Sequence, residues 1–359
     1  MRRPLLPVVL AVATGLAVSA SACSEKSDAK MPPLSLSPSA PRTPGPSAEA
    51  AKEPITIAFA GDTHFYAQLT SRLASPRTAL GPIIPTLKGA DFTVANLETA
   101  ITTRGTKAPK EFNFRAPASA FTALKAAGID VVSMANNHGV DFGQVGLADS
   151  LAAIKRTGYP VVGIGKNAAD AYRPYYATVK DTKLAVIGAT QVLDDNLIAD
   201  WTATNTHAGL ASAKNAPRLI QEVRKARKQA DAVIVFLHWG QEMRDCPLPR
   251  QKHLANQLVQ AGADVIVGSH AHVPLGGGFF HGRYIDYGLG NFFFYAASGR
   301  TADSGVLEVT LSGRKVLKAQ WKPATISGGI PRPLSGTARA QALKKWNGLR
   351  RCTGLTTRP

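Results

Sequence analysis

The chain has 359 residues, 45% of them apolar and 18% charged, the composition of an ordinary globular protein with room for one large domain or two modest ones. Its 42 Lys and Arg against 24 Asp and Glu give a formal net charge of +18, and residues 311–359 carry eleven of those cations and no acid. Charge alone admits a solvated tail, or a surface for nucleic acid, anionic lipid or an acidic wall polymer; the export pattern at the N-terminus excludes genomic DNA.

Residues 1–22 join two arginines to an apolar run and then small residues, the pattern of a secretory signal and too short for a stable membrane span. The stretch "SASAC" ends at Cys23 and reads as a bacterial lipoprotein processing site, with Ala20 where a leucine usually stands. Ordinary cleavage near Ala20 or Ala22 is the alternative. Lipid on Cys23 would hold the protein at the outer face of the cytoplasmic membrane. Residues 23–54 are rich in Pro, Ser and Ala and read as a tether, with order starting at Ile55. Cys246 and Cys352 then make one possible disulfide, which would staple the basic C-terminus to the body.

From Ile55 onward, apolar strand patterns alternate with helical ones. Strands are expected at 55–60, 92–96, 129–135, 183–190, 231–238 and 264–270, and helices at 79–88, 117–127, 144–157, 214–229 and 250–261. This alternation predicts an α/β fold. Beyond residue 283 the helices drop out, which predicts mixed sheets, and a last helix is expected over 337–349. The domain is expected to span 55–325, with 326–359 a basic tail or helix. The glycines at 276–278 read as a mobile loop.

Metal-competent residues follow nearly every early strand. They are Asp62 and His64; Asn96 and Glu98; Asn136, Asn137, His138 and Asp141; His238 and Glu242; and His270 and His272. Ligands of an open α/β sheet gather beyond the carboxyl ends of its strands. Singly, each of these residues is weak evidence: Asp141 could cap the helix near Gln144, Trp239 could be core, and Asn291 in "GLGNF" could fix a turn. Jointly they describe a site. "GSHAH" closes a buried strand with two histidines whose alternation on extended backbone would aim both rings at one point. Imidazole, carboxylate and carboxamide together suit Mn, Fe or Zn, and a shared carboxylate can bridge two such ions.

In order, D-x-H, an acid, N-H, H and H-x-H resemble the ligands of calcineurin-like metallophosphoesterases. "GDTHF", "NLET", "ANNHGVDFGQVGL", "HWGQE", "GADVIVGSHAHVP" and "YGLGNFFF" resemble, more specifically, the CapA-type poly-γ-glutamate capsule proteins, over roughly residues 55–295. The resemblance implies a metallophosphatase-like four-layer α/β/β/α sandwich with two divalent ions. Asp62, His64 and His272 would hold the first ion. Asn137, His238 and His270 would hold the second, and Glu98 would bridge them. His138 would be the general acid, while Asn136, Asp141, Glu242 and Asn291 would orient ligands or touch substrate. Two positions depart from the pattern. Glu98 stands where the wider superfamily uses Asp, which would weaken one ion, and many CapA-type proteins lack a histidine at the place of His64. The function implied is hydrolysis of a phosphoester or related bond in envelope-polymer metabolism. The alternative is a non-catalytic accessory factor that binds poly-γ-glutamate or another anionic polymer.

Overall fold

The computed structural model describes residues 52–359. The signal pattern, Cys23 and most of the expected tether lie outside the described residues. The chain first lays down β1 (Ile55–Thr63), β2 (Phe92–Leu97), α1 (Ser119–Ala126), β3 (Val131–Ser133), α2 (Gly143–Thr157) and β4 (Val161–Val162). Next come β5 (Tyr175–Val179), β6 (Thr182–Thr190), α3 (Ala216–Arg227), β7 (Ala232–His238), α4 (Pro249–Ala261) and β8 (Val265–Ser269). Strands then dominate: β9 (Gly277–Phe280), β10 (Arg283–Asp286), β11 (Asn291–Phe293), β12 (Asp303–Ser312), β13 (Lys315–Ser327) and β14 (Ile330–Pro333), before α5 (Gly336–Leu349). The helix expected over 79–88 is instead a 3-10 turn at Gly81–Ile83 and a short helix at Ile84–Lys88. Gly81 sits at φ 70°, and Pro82 and Pro85 remove N–H donors, so a longer helix cannot propagate there.

Two mixed sheets result. One runs β14-β13-β12-β1-β2-β3-β4, with β11 added beside β1; the other runs β9-β10-β8-β7-β6-β5. Strands β1 to β4 are parallel, as are β6, β7, β8 and β10, and β11 runs parallel to β1, while β12, β13 and β14 pair antiparallel, as do β9 and β10. Alternation along the strands explains the layering. Ile55, Ile57 and Phe59 of β1 join Ile234 and Phe236 of β7 in a core between the sheets. The intervening Ala58 and Ala60 face an outer core with Phe121 and Leu124 of α1 and Leu147 of α2. Val233, Val235 and Leu237 face the opposite outer core with Leu219 of α3 and Leu254 and Leu258 of α4. Three apolar layers bind four structural ones, an α/β/β/α sandwich.

The C-terminal segment is part of this body and not a tail that starts at 326. β13 continues to Ser327 and β14 pairs with it. Trp346 of α5 stacks on Trp321 of β13 at 5.5 Å and joins the core between the sheets. Thr356 then pairs with Phe279 on the edge strand β9. The glycines at 276–278 are therefore ordered. A Cβ at Gly278 would stand 2.6 Å from the Thr356 carbonyl oxygen, so the close approach of that backbone requires glycine.

Cys246 and Cys352 form a disulfide with their Cα atoms 5.7 Å apart, across 106 residues of sequence. It ties the segment after α5 to the loop that follows His238. The closed loop is long, so the bond removes much freedom from the unfolded chain. Replacing Cys352→Ser should cost about 2–5 kcal/mol and lower the thermal midpoint accordingly; a midpoint equal to that of the wild type under oxidising conditions would contradict it.

Candidate metal centre

Five strands, β1, β2, β3, β7 and β8, deliver side chains to one place. Asp62 is in the last turn of the pleat of β1, Glu98 follows β2, and Asn136, Asn137 and His138 follow β3. His238 ends β7, and His270 and His272 follow β8 from the other sheet. Gly61 is what lets β1 meet the turn before β11: a Cβ there would lie 1.9 Å from the Gly290 carbonyl oxygen. That contact sets Asp62 opposite Asn291 in the parallel pair β1–β11.

Two ligand groups emerge. Glu98, His238 and His270 bring donor atoms within 4.8 Å of one another, and so do Asp62, Glu98 and His272. Glu98 belongs to both. Its carboxylate is fully buried, and among the described residues neither oxygen has a hydrogen-bond partner; the buried Nδ1 of His270 has none there either. Buried polar atoms are ordinarily satisfied, so donors left unpaired and converging fit a divalent cation. Asn137 completes the first group in space, its Oδ1 2.7 Å from His238 Nε2.

The electrostatics agree. Burial, and then the nearby charge of Asp62, push the Glu98 carboxyl well above the usual range. Burial and the neighbouring histidines hold His238 and His270 well below the ordinary imidazole value, leaving the neutral form that ligates metals. Burial also opposes charge on His272, but its hydrogen bond to Asp62 and the carboxylates of Glu98 and Glu242 raise it to about 10.

Around the ligands, neutral side chains fix geometry. Asn96 donates to Asp62 Oδ1 at 2.8 Å and accepts from Asn136 Nδ2 at 3.0 Å. Asn136 in turn accepts from the His138 backbone N–H at 3.0 Å. Ser269 Oγ lies 2.9 Å from His238 Nδ1, and Asn291 Oδ1 lies 2.8 Å from His272 Nδ1. Asp141 does not cap α2, whose N-cap is Phe142; its Oδ2 faces His138 Nδ1 at 2.6 Å and accepts from the Phe114 N–H. His138 Nε2 then points toward Glu98 Oε1, 3.9 Å away. Trp239 is core, donating to the Tyr287 carbonyl oxygen at 3.0 Å.

Three expectations change. His64 lies outside both ligand groups. The backbone N–H of Tyr66 approaches its Nδ1 at 3.1 Å and that of Tyr295 its Nε2 at 3.4 Å, and the ring packs against Phe114 and Phe294. It belongs to an aromatic wall beside the site. Glu242 is exposed and influences Glu98 and His272 through space, without touching a ligand. The H-x-H pair does not converge by strand alternation. β8 ends at Ser269, and His270 and His272 both have left-handed backbone, φ 94° and 57°. A tight turn, and not a pleat, brings the two rings to 6.0 Å. Lys110 was invisible in sequence: it comes from a polar stretch, "TKAPKEF", yet its side chain is buried against Asp141 and Asn137.

The model of the family described as "Bacterial capsule synthesis protein PGA_cap" matches residues 56–296. The chain belongs to this family. The Bacillus anthracis "Capsule biosynthesis protein CapA" is 33% identical over 261 residues, 70% of this chain and 62% of that one. The "PGA biosynthesis protein CapA" of Bacillus subtilis is 29% identical over 293 residues, 78% of this chain and 74% of that one. Among solved structures, a 5'-nucleotidase from Candida albicans is similar with a TM-score of 0.40 at 10% identity, over 83% of this chain and 57% of that one. The family match contains every candidate ligand and stops short of the strands and helix that carry the basic C-terminus.

Glu98 serves both ligand groups, so Glu98→Gln should lose metal from both, whereas His238→Ala should lose it from one. Metal per chain, counted by mass spectrometry after loading with Mn²⁺ or Zn²⁺ and desalting, checks this; wild-type content in Glu98→Gln would remove Glu98 from the ligand set.

Proposed function

We propose that this capsule-family protein is an exported, lipid-anchored hydrolase that cleaves a phosphoester or related bond in envelope-polymer metabolism, with two divalent ions (Mn, Fe or Zn) as cofactors. The observation that carries the reading is the Glu98 carboxylate, unpaired and shared between two ligand groups. Asp62, Glu98, Asn137, His238, His270 and His272 would hold the ions. Ions bound there would acidify a water and stabilise the charge that develops on the reacting group.

The chain supplies the rest. His138 stands beside the ligands with Nε2 turned inward and Asp141 behind it, the placing of a group that protonates a departing oxygen. Phe114 stacks on the His138 ring at 4.2 Å, and with Phe294 and Tyr295 it screens that side of the site from water. Exposed Arg339, Lys344 and Arg351 offer an anionic polymer a surface to lie on. The partner is then an envelope polymer or phosphoester, not nucleic acid.

The test is turnover of phosphomonoesters, phosphodiesters and γ-glutamyl peptides by metal-loaded protein. His138→Ala should lower kcat by about 10²–10⁴-fold on the substrate that reacts; equal rates in wild type and variant would end the catalytic assignment. Anchoring has its own measurement: the intact mass of mature protein from the producing cell should include a diacylglyceryl group on Cys23, and an unmodified N-terminus after Ala20 or Ala22 would refute it.

A further inference from the structure

Lys110 is a buried cation outside both ligand groups. Its side chain is 9% exposed, in the segment between Ile101 and Arg115. Nζ lies 2.9 Å from Asp141 Oδ1, donates to the Asn137 carbonyl oxygen, and stands 3.4 Å from His138 Nδ1. The Trp201 ring centre is 5.2 Å away on its other side. The segment around it is fastened to the same turn. The Ala108 N–H donates to the Asp141 carbonyl oxygen at 2.8 Å, and Asn113 closes the loop by donating to the carbonyls of Ala108 and Lys110. Phe114, at the end of the segment, stacks on His138 and donates its N–H to Asp141 Oδ2.

The two oxygens of Asp141 are therefore divided. Oδ2 faces His138 and Phe114, and Oδ1 faces Lys110. The short contacts on Oδ2 and the ion pair on Oδ1 together oppose rotation of the carboxylate away from the imidazole. The same ammonium pins the backbone carbonyl of Asn137, whose side chain reaches His238. A buried ammonium is costly to keep in place unless it is paired and hydrogen-bonded, as it is here.

We propose that Lys110 is a positioning residue that acts through Asp141 and the Asn137–His138 turn, fixing the direction in which His138 Nε2 points. This rests on the reading of His138 as the proton donor. Lys110 lies behind the imidazole and touches no reacting atom, so its loss should matter most where the leaving group needs a proton. Groups that support a ligand or acid from behind are worth about 10–100-fold in affinity or activity.

The experiment compares wild type, Lys110→Met and Lys110→Arg, all metal-loaded, on phenyl and 4-nitrophenyl phosphoesters. Lys110→Met should lower kcat on the phenyl ester by about 10–100-fold and on the nitrophenyl ester much less, with KM little changed, and Lys110→Arg should recover part of the loss. Equal losses on both esters, or none, would overturn the proposal. A nitrogen-15 spectrum of the histidine rings is the arm that does not need turnover. In wild type Asp141 should hold the His138 Nδ1–H in one hydrogen-bonded geometry, whether or not Nε2 carries the proton it would donate, and the Nδ1 resonance should shift or broaden in Lys110→Met; identical spectra would overturn it. Wild type that turns over no ester while the spectra differ would remove the hydrolase reading and leave the positioning of His138 in place.

Discussion

A fully buried carboxylate without a hydrogen-bond partner is the constraint around which this molecule is arranged. Glu98 leaves β2 at the point where the two sheets face each other, and among the described residues nothing donates to either oxygen. Removing such a charge from water costs several kcal/mol unless a cation repays it. The chain surrounds it with donors instead of satisfying it: His238 at 3.4 Å and His138 at 3.9 Å, with His270 and His272 completing the ligand groups. Asp62 adds a second negative charge to the same space. Such a concentration of converging ligand atoms fits divalent cations.

The sandwich makes that concentration of polar groups tolerable. Apolar residues on both faces of β1 and β7 fix the strands to three cores, so the strand ends cannot drift apart to relieve repulsion. Asn96, Asn136, Ser269 and Asn291 then set the side chains, each through one or two hydrogen bonds at 2.8–3.0 Å. Rigid strands carry the ligands, and neutral amides and a hydroxyl orient them.

Much of this was legible in the amino-acid sequence because it depends on local pattern. Alternation in "ITIAFA" and "AVIVFLH" sets strands, and polar residues just after them mark the ligand end. Asp62, Glu98, Asn137, His238, His270 and His272 all arrive where that pattern places them. The failures share a cause: they depend on contacts far apart in sequence or on backbone the pattern does not encode. His64 follows Asp62 by two residues, as a ligand would, but its ring packs among Phe114, Phe294 and Tyr295, outside both ligand groups. The glycines at 276–278 look mobile until Thr356, near the end of the chain, lies against them. Lys110 has no signature in its neighbours, because Asp141 and Trp201 give it meaning only in three dimensions.

The left-handed backbone at His270 and His272 sets folding against function at two adjacent points. Non-glycine residues in that region cost about 1–3 kcal/mol each. Glycine would relax both positions, and with them the turn after β8, yet it would take an imidazole from each ligand group. The most comfortable sequence for this turn is therefore one that cannot hold the ions. Selection for stability alone would erode the site from its own backbone, so histidine at these positions records a demand that stability does not make.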